Sequence, residues 1–248
     1  MISCYCITYN RPELLEEAIE SFHRQDYKGS KELVVLNDFV GQELKYKHPE
    51  VFIMNSPKRF RTIGEKRNAC IAMCSGDVIF PWDDDDISLP WRISLSLRYK
   101  GDRPYFKNKR AWLWQNGKIK ENSVYNTYPS MACWDRSFFE EVNGYAFIQS
   151  GQDIQLDNKF RKTGRRYCIK IPDEEVYYIY KFGGTGHPHL SSYGYLKGWE
   201  EIGKREKSDE KEIHLEPRWK QEYVNEVRSK RRVQEETNSI NKGVIFAA

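Results

Sequence analysis

No apolar run in this 248-residue sequence approaches the roughly 20 residues that a membrane-crossing helix needs. Met1 to Asn10 also lacks a basic segment followed by a long apolar one, the pattern of a secretory leader. These two absences predict a soluble, cytoplasmic protein with no transmembrane segment. The cysteines at 4, 6, 70, 74, 133 and 168 include no CxxC pair, so ordinary buried free thiols are expected rather than a zinc site. A net charge of +4 is too small to mark a nucleic-acid binder by itself, and it leans only mildly towards an anionic ligand. No internal repeat is evident. Hydrophobic residues make up 39% of the chain, enough for a packed core, which excludes wholesale disorder.

What the chain does concentrate is carboxylate at one place. Val78 to Trp82 reads as a buried strand, and Asp83, Asp84, Asp85 and Asp86 follow it directly. Four adjacent anions repel one another, so they must be solvated or hold a cation. In extended backbone Asp83 and Asp85 would face one way, and Asp84 and Asp86 the other. Two carboxylates on one side suit a hard divalent ion such as Mg²⁺ or Mn²⁺. The end of a strand is also where open α/β sheets place their ligands.

Around that stretch, strand and helix signals alternate. Ile2 to Thr8 predicts a strand, and Asn10-Arg11-Pro12-Glu13 a helix start with Asn10 as cap. Leu14, Leu15, Ala18, Ile19 and Phe22 mark the buried face of that helix. Strands follow at Leu33 to Leu36, ending in Asn37-Asp38, and at Val51 to Met54. Thr62-Ile63-Gly64-Glu65 is a capping-box pattern opening a helix to about Cys74. Lys66 and Arg67 fall in its first turn, where cations oppose the helix dipole unless an anion is near. From 103 onward hairpin signals take over, with Asn116-Gly117 as a turn before Lys118. Short elements are then expected at Ser130 to Trp134, Ser137 to Val142, Gln152 to Thr163 and Val176 to Phe182. Lys197 to Arg232 mixes both charge signs and predicts a mostly solvated helical surface, and 236–248 a frayed tail.

Several motifs occur in an order that resembles the family-two inverting glycosyltransferases of GT-A fold, over roughly residues 2 to 192. They are Thr8-Tyr9-Asn10-Arg11-Pro12, Leu36-Asn37-Asp38, Gly64-Glu65-Lys66-Arg67-Asn68, Trp82-Asp83-Asp84-Asp85-Asp86, Gly151-Gln152-Asp153-Ile154-Gln155-Leu156 and His189-Leu190-Ser191. The resemblance implies an α/β chain with a Rossmann-like nucleotide-binding half of mixed, mainly parallel sheet over 1–100. An antiparallel acceptor half would cover 101–195, and the charged stretch beyond the resemblance is read as a C-terminal helical extension over 196–235. Two departures stand out. Gln152 occupies the position of a usual glutamate, and four aspartates blur the register of the DxD region. The family's first aspartate follows the last apolar residue of the strand, here Trp82, which favours Asp83 and Asp85.

The implied reaction moves a sugar from a nucleoside-diphosphate donor, with a UDP-sugar favoured, to an acceptor hydroxyl. The resemblance assigns donor contacts to Thr8, Tyr9, Asn10, Arg11, Asp38, Lys66, Arg67, Asp83 and Asp84. It assigns the Mn²⁺ or Mg²⁺ to Asp83 and Asp85, with His189, or else His187, as a third ligand. Asp153 would be the general base, and Asp157 or Asp86 would stand next in line. Among Trp112, Trp114, Tyr125, Tyr128 and Trp134, one or two would touch the acceptor. That acceptor could be a glycan, a lipid-linked sugar, a protein or a modified DNA base, and the extension could cover it or support a homodimer. Two rivals remain at this level. A nucleotidyltransferase would want a glycine-rich loop after the first strand, and residues 8–12 contain no glycine. A non-catalytic sugar-nucleotide or glycan-binding protein of the same fold would not need Asp153.

Overall fold

Strand β1, Ile2–Thr8, is buried on both faces, and that two-sided burial sets the layering. Ile2, Cys4 and Cys6 pack into one core with Leu15, Ala18, Ile19 and Phe22 of helix α1, Pro12–His23. Tyr5 packs into a second core on the opposite face, with Cys70 and Ile71. The computed structural model describes residues 1–115, 117–124, 129–181 and 212–231.

The chain continues through β2 (Lys31–Asn37), β3 (Glu43–Lys45), β4 (Val51–Asn55), α2 (Ile63–Met73), β5 (Val78–Pro81), β6 (Ile87–Ser88) and α3 (Arg92–Lys100). Then come β7 (Tyr105–Asn108), β8 (Arg110–Gln115), β9 (Lys118–Val124), β10 (Ala132–Asp135), α4 (Arg136–Glu141), α5 (Gln152–Lys162), β11 (Tyr167–Ile169), β12 (Tyr178–Lys181) and β13 (Glu212–His214). A seven-stranded sheet runs β11-β7-β10-β5-β1-β2-β4. Its β5-β1-β2-β4 portion is all parallel, and β10 is antiparallel to both β5 and β7. A four-stranded sheet, β6-β12-β8-β9, contains the antiparallel β8–β9 hairpin around the expected turn. The α/β class and the mixed, mainly parallel sheet are therefore as the sequence predicts.

Two local expectations fail for identifiable reasons. Asn10 does not cap α1: it takes a left-handed φ of 51°, and Arg11 occupies the cap position with no side-chain cap bond. Arg11 is drawn instead to carboxylates distant in sequence, described below. The Thr62 cap does form, with its hydroxyl accepting from Glu65 N at 3.1 Å. Residues 212–231, the described part of the stretch after 196, are not all helical surface. There β13 pairs in parallel with β3, and a helix α6 covers 223–231. Leu215, Tyr223 and Val227 are buried in the core beside α1, and Trp219 packs against it. These four recur every fourth residue, an apolar stripe that the surrounding charges obscure.

Candidate active site at the carboxyl ends of the parallel strands

From β1 the chain builds outward through β2 to β4, then returns to place β5 on the other side of β1. The carboxyl ends of β1 and β5 thus flank a topological switch point, where open α/β sheets leave a crevice for ligands. Three strand ends meet there: Thr8 to Arg11 after β1, Asp38 after β2, and the aspartates after β5.

The aspartates do not alternate as extended backbone would require, because the chain leaves the strand at Trp82 and turns at 84–85. Trp82 anchors that exit, its indole N–H donating to Ala18 O at 2.9 Å. The turn brings Asp84 and Asp85 to one guanidinium. Arg11 Nε donates to Asp84 Oδ2 at 3.1 Å, Nη2 to Asp84 Oδ1, and Nη1 to Asp85 Oδ2 at 2.9 Å. Asp83 points elsewhere, accepting from Ser130 Oγ, with Arg67 Nη2 3.5 Å from its other oxygen. Asp86 is buried and structural: its oxygens accept from Tyr178 OH at 2.6 Å and from Lys181 N at 2.8 Å. Burial pushes the Asp84 carboxyl up to about 6, against the pull of Arg11 and with Asp85 adding to the rise.

On the β2 side, Asp38 and Lys66 form a buried pair. Lys66 Nζ also donates to Thr8 O at 2.5 Å, and Phe60 N donates to Asp38 Oδ2 at 3.1 Å. The anion that the first turn of α2 called for is therefore Asp38. Burial lowers the Lys66 pKa, partly offset by that carboxylate. Tyr9 lies edge-on to Phe39 at 5.2 Å, with the Arg59 guanidinium 4.4 Å from its ring centroid. Tyr9, Phe39 and Arg59 thus present an aromatic and cationic wall beside Asp38.

On the far side, Arg67 Nη1 donates to Tyr5 OH at 3.2 Å, and Tyr5 OH and Tyr145 OH share a hydrogen bond of 2.5 Å. Tyr145 belongs to the segment leading to α5, which is stitched to α2. Asn68 Nδ2 donates to Tyr145 O at 2.8 Å, and Gly64 N to Ile148 O at 3.2 Å. A Cβ on Gly64 would lie 1.8 Å from Ala146 O, so only glycine allows this approach. Gly151, with φ 74°, turns the chain into α5, and Asp153 sits in that helix's first turn. Asp153 Oδ1 accepts from Ile154 N at 2.8 Å, and its charge acts on both Arg67 and Tyr145. Tyr5, Tyr145 and Ser130 were not expected at the site. The available signal for Tyr5 was a phenol between two cysteines in a buried strand.

The two fallback bases are otherwise engaged. Asp157 accepts from Tyr105 OH at 2.9 Å and pairs with Arg166 and Lys107, and Asp86 is held as described. Gln152 is buried, and its Oε1 has no hydrogen-bond partner among the described residues. Trp112 and Trp134 are core residues and do not face an acceptor. Trp114 is half-buried, with Lys181 Nζ 5.2 Å from its ring centroid. His187, His189, Tyr125 and Tyr128 lie outside the described residues. Among the described residues no three His, Cys, Asp or Glu side chains cluster as a ready-made metal site. Asp83 and Asp85 nonetheless offer oxygen donors from a single turn, the donor chemistry that Mg²⁺ and Mn²⁺ prefer.

Comparison with known proteins agrees with this fold. Residues 3–136 match the model of the family described as Glycosyl transferase family 2. WcaA of Escherichia coli K12, named for colanic acid biosynthesis, is 28% identical over 144 residues, 55% of this chain and 50% of WcaA. The chain thus spans about half the length of that relative. YwdF of Bacillus subtilis, a glycosyltransferase by name, is 25% identical over 219 residues, 78% of either chain. Among solved structures, S. aureus TarS with UDP-GlcNAc superposes with a TM-score of 0.61 at 14% identity, covering 82% of this chain and 66% of that one. The mannosyltransferase PcManGT of Pyrobaculum calidifontis, solved with GDP-Man and Mn²⁺, gives a TM-score of 0.55 at 15% identity, covering 83% and 62%. The fold is GT-A, and the chain belongs to glycosyl transferase family 2.

Proposed function

We propose that this protein is a metal-dependent, inverting glycosyltransferase that moves a sugar from a nucleoside-diphosphate donor, a UDP-sugar in preference, to an acceptor hydroxyl. The observation that carries the proposal is the crevice between β1 and β5. There Arg11 holds Asp84 and Asp85, Arg67 lies against Asp83, and the buried Asp38–Lys66 pair stands at the end of the neighbouring strand. In this reading Asp38 reads the nucleobase or ribose, Tyr9 flanks it, and Arg11 and Arg67 face the diphosphate. The acceptor oxygen attacks the anomeric carbon, and the bond from that carbon to the diphosphate oxygen breaks with its electron pair leaving on the nucleotide. Asp153 takes the acceptor's proton from the opposite face. A Mn²⁺ or Mg²⁺ held by Asp83 and Asp85 would neutralise the charge that develops on the diphosphate. The names of TarS and PcManGT, solved with nucleotide sugars, support the donor class.

Screening nucleotide sugars for release of the nucleoside diphosphate tests the proposal. Release should stop with chelator and return with Mn²⁺ or Mg²⁺, and full turnover in excess chelator would remove the metal from the site. Asp38→Asn keeps the acceptor for Phe60 N while removing the charge opposite Lys66. It should weaken UDP binding by about 1–3 kcal/mol, the usual cost of an unpaired buried partner. Calorimetry on the folded variant checks this, and unchanged affinity would take Asp38 out of the pocket.

A further inference from the structure

Arg11 is in an unfavourable place for a cation. It stands at the amino end of α1, where the helix dipole disfavours positive charge, and its side chain does not cap the helix. Its side chain is only 14% exposed, and its fork is spent on Asp84 and Asp85. The carboxylates, not the helix, hold it there.

Charge balance gives this placement a purpose. Among the described residues at the turn, Asp83, Asp84 and Asp85 face two guanidiniums, Arg11 and Arg67, and these five groups together leave one negative charge. A divalent ion alone would reverse that balance and put two cations on Asp85. A divalent ion arriving with a doubly negative nucleoside-diphosphate sugar would leave it unchanged. We infer that Arg11 is a stand-in cation: it neutralises Asp84 and Asp85 while the crevice is empty, and passes to the donor's diphosphate when a divalent ion takes Asp85. The inference rests on the donor and metal reading above. Arg11 thereby couples the two ligands, opposing the ion alone and accepting it with the nucleotide. A permanent structural ion pair would oppose the ion equally with and without the nucleotide.

The test is direct Mn²⁺ titration of the full chain, read from the electron paramagnetic resonance of free Mn²⁺, with and without UDP. Wild type, Arg11→Met and Arg11→Lys are compared. Without UDP, Arg11→Met should bind Mn²⁺ on the order of tenfold more tightly than wild type, since one unit charge a few ångströms away is gone. UDP should then tighten Mn²⁺ binding more in wild type than in Arg11→Met. Arg11→Lys keeps the charge without the fork. It should fall between the two and covers the case in which Arg11→Met does not fold. Mn²⁺ affinity without UDP that is the same in wild type and the variants overturns the stand-in role, while metal binding that persists with UDP leaves the functional reading intact. No Mn²⁺ binding in any chain, with or without UDP, overturns both.

Discussion

Asp153→Asn should leave UDP binding near normal and lower sugar transfer by on the order of 10²–10⁴, the usual contribution of a general base. The variant suits the question because asparagine keeps an oxygen for the Ile154 N–H that Asp153 accepts at 2.8 Å. Its fold should therefore survive. The competing interpretation makes Asp153 a helix-start charge that favours the dipole of α5. That role is worth about 0.3–1 kcal/mol of stability and predicts no collapse in rate. Position separates Asp153 from the other carboxylates. Asp157 is committed to Tyr105, Arg166 and Lys107, and Asp86 to Tyr178 and the Lys181 amide. Asp153 instead shares its surroundings with Arg67 and Tyr145, which connect to Asp83 and Tyr5. Donor affinity and transfer rate measured on one preparation, with the anomeric configuration of the wild-type product, decide the matter. Normal transfer by Asp153→Asn, or retention at the anomeric centre, would defeat the assignment.

Where local chemistry controls the backbone, the sequence was a good guide. The two-sided burial of β1 follows from its short run of apolar and cysteine side chains, and the start of α2 from the reach of Thr62 to the Glu65 amide. The sequence misled where a distant partner outbids a local preference. Asn10 has the chemistry of a cap, but Arg11 is bound to aspartates 73 and 74 residues away, and the chain bends to permit it. The four aspartates looked like alternating strand residues, yet once the chain turns at 84–85 Asp84 and Asp85 share Arg11, while Asp83 and Asp86 find partners of their own. The awkward placement of Lys66 in the first turn of α2 was a real signal: it pointed to an anion, and Asp38 supplies it. Charge mixing between 197 and 232 hid the stripe of Leu215, Trp219, Tyr223 and Val227, because a stripe one residue wide barely changes local composition.

The second large effect is expected far from the chemistry, at Glu17. This carboxylate is 1% exposed in the middle of α1, where an unpaired charge would be costly. Three donors meet it from elements that come much later in the chain. Lys181 Nζ lies 2.6 Å from Oε2, and Tyr223 OH and Lys220 N donate to Oε1 at 2.7 and 3.0 Å. Burial and the neighbouring carboxylate both raise the Tyr223 pKa, so the phenol stays protonated and can donate. Glu17→Ala strands a largely buried ammonium and a buried hydroxyl together, and should cost about 3–5 kcal/mol in urea unfolding. Lys181→Met in the same background should recover part of that loss, because it removes the stranded charge. An unchanged urea midpoint for Glu17→Ala would show that solvent satisfies these groups and that the apolar stripe alone docks α6. The consequence should reach the site, since Lys181, whose side chain Glu17 holds, gives its backbone N–H to Asp86 in the acidic turn. A chain that has lost Glu17 should therefore have a looser carboxylate turn and a C-terminal segment that a protease clips sooner than in wild type.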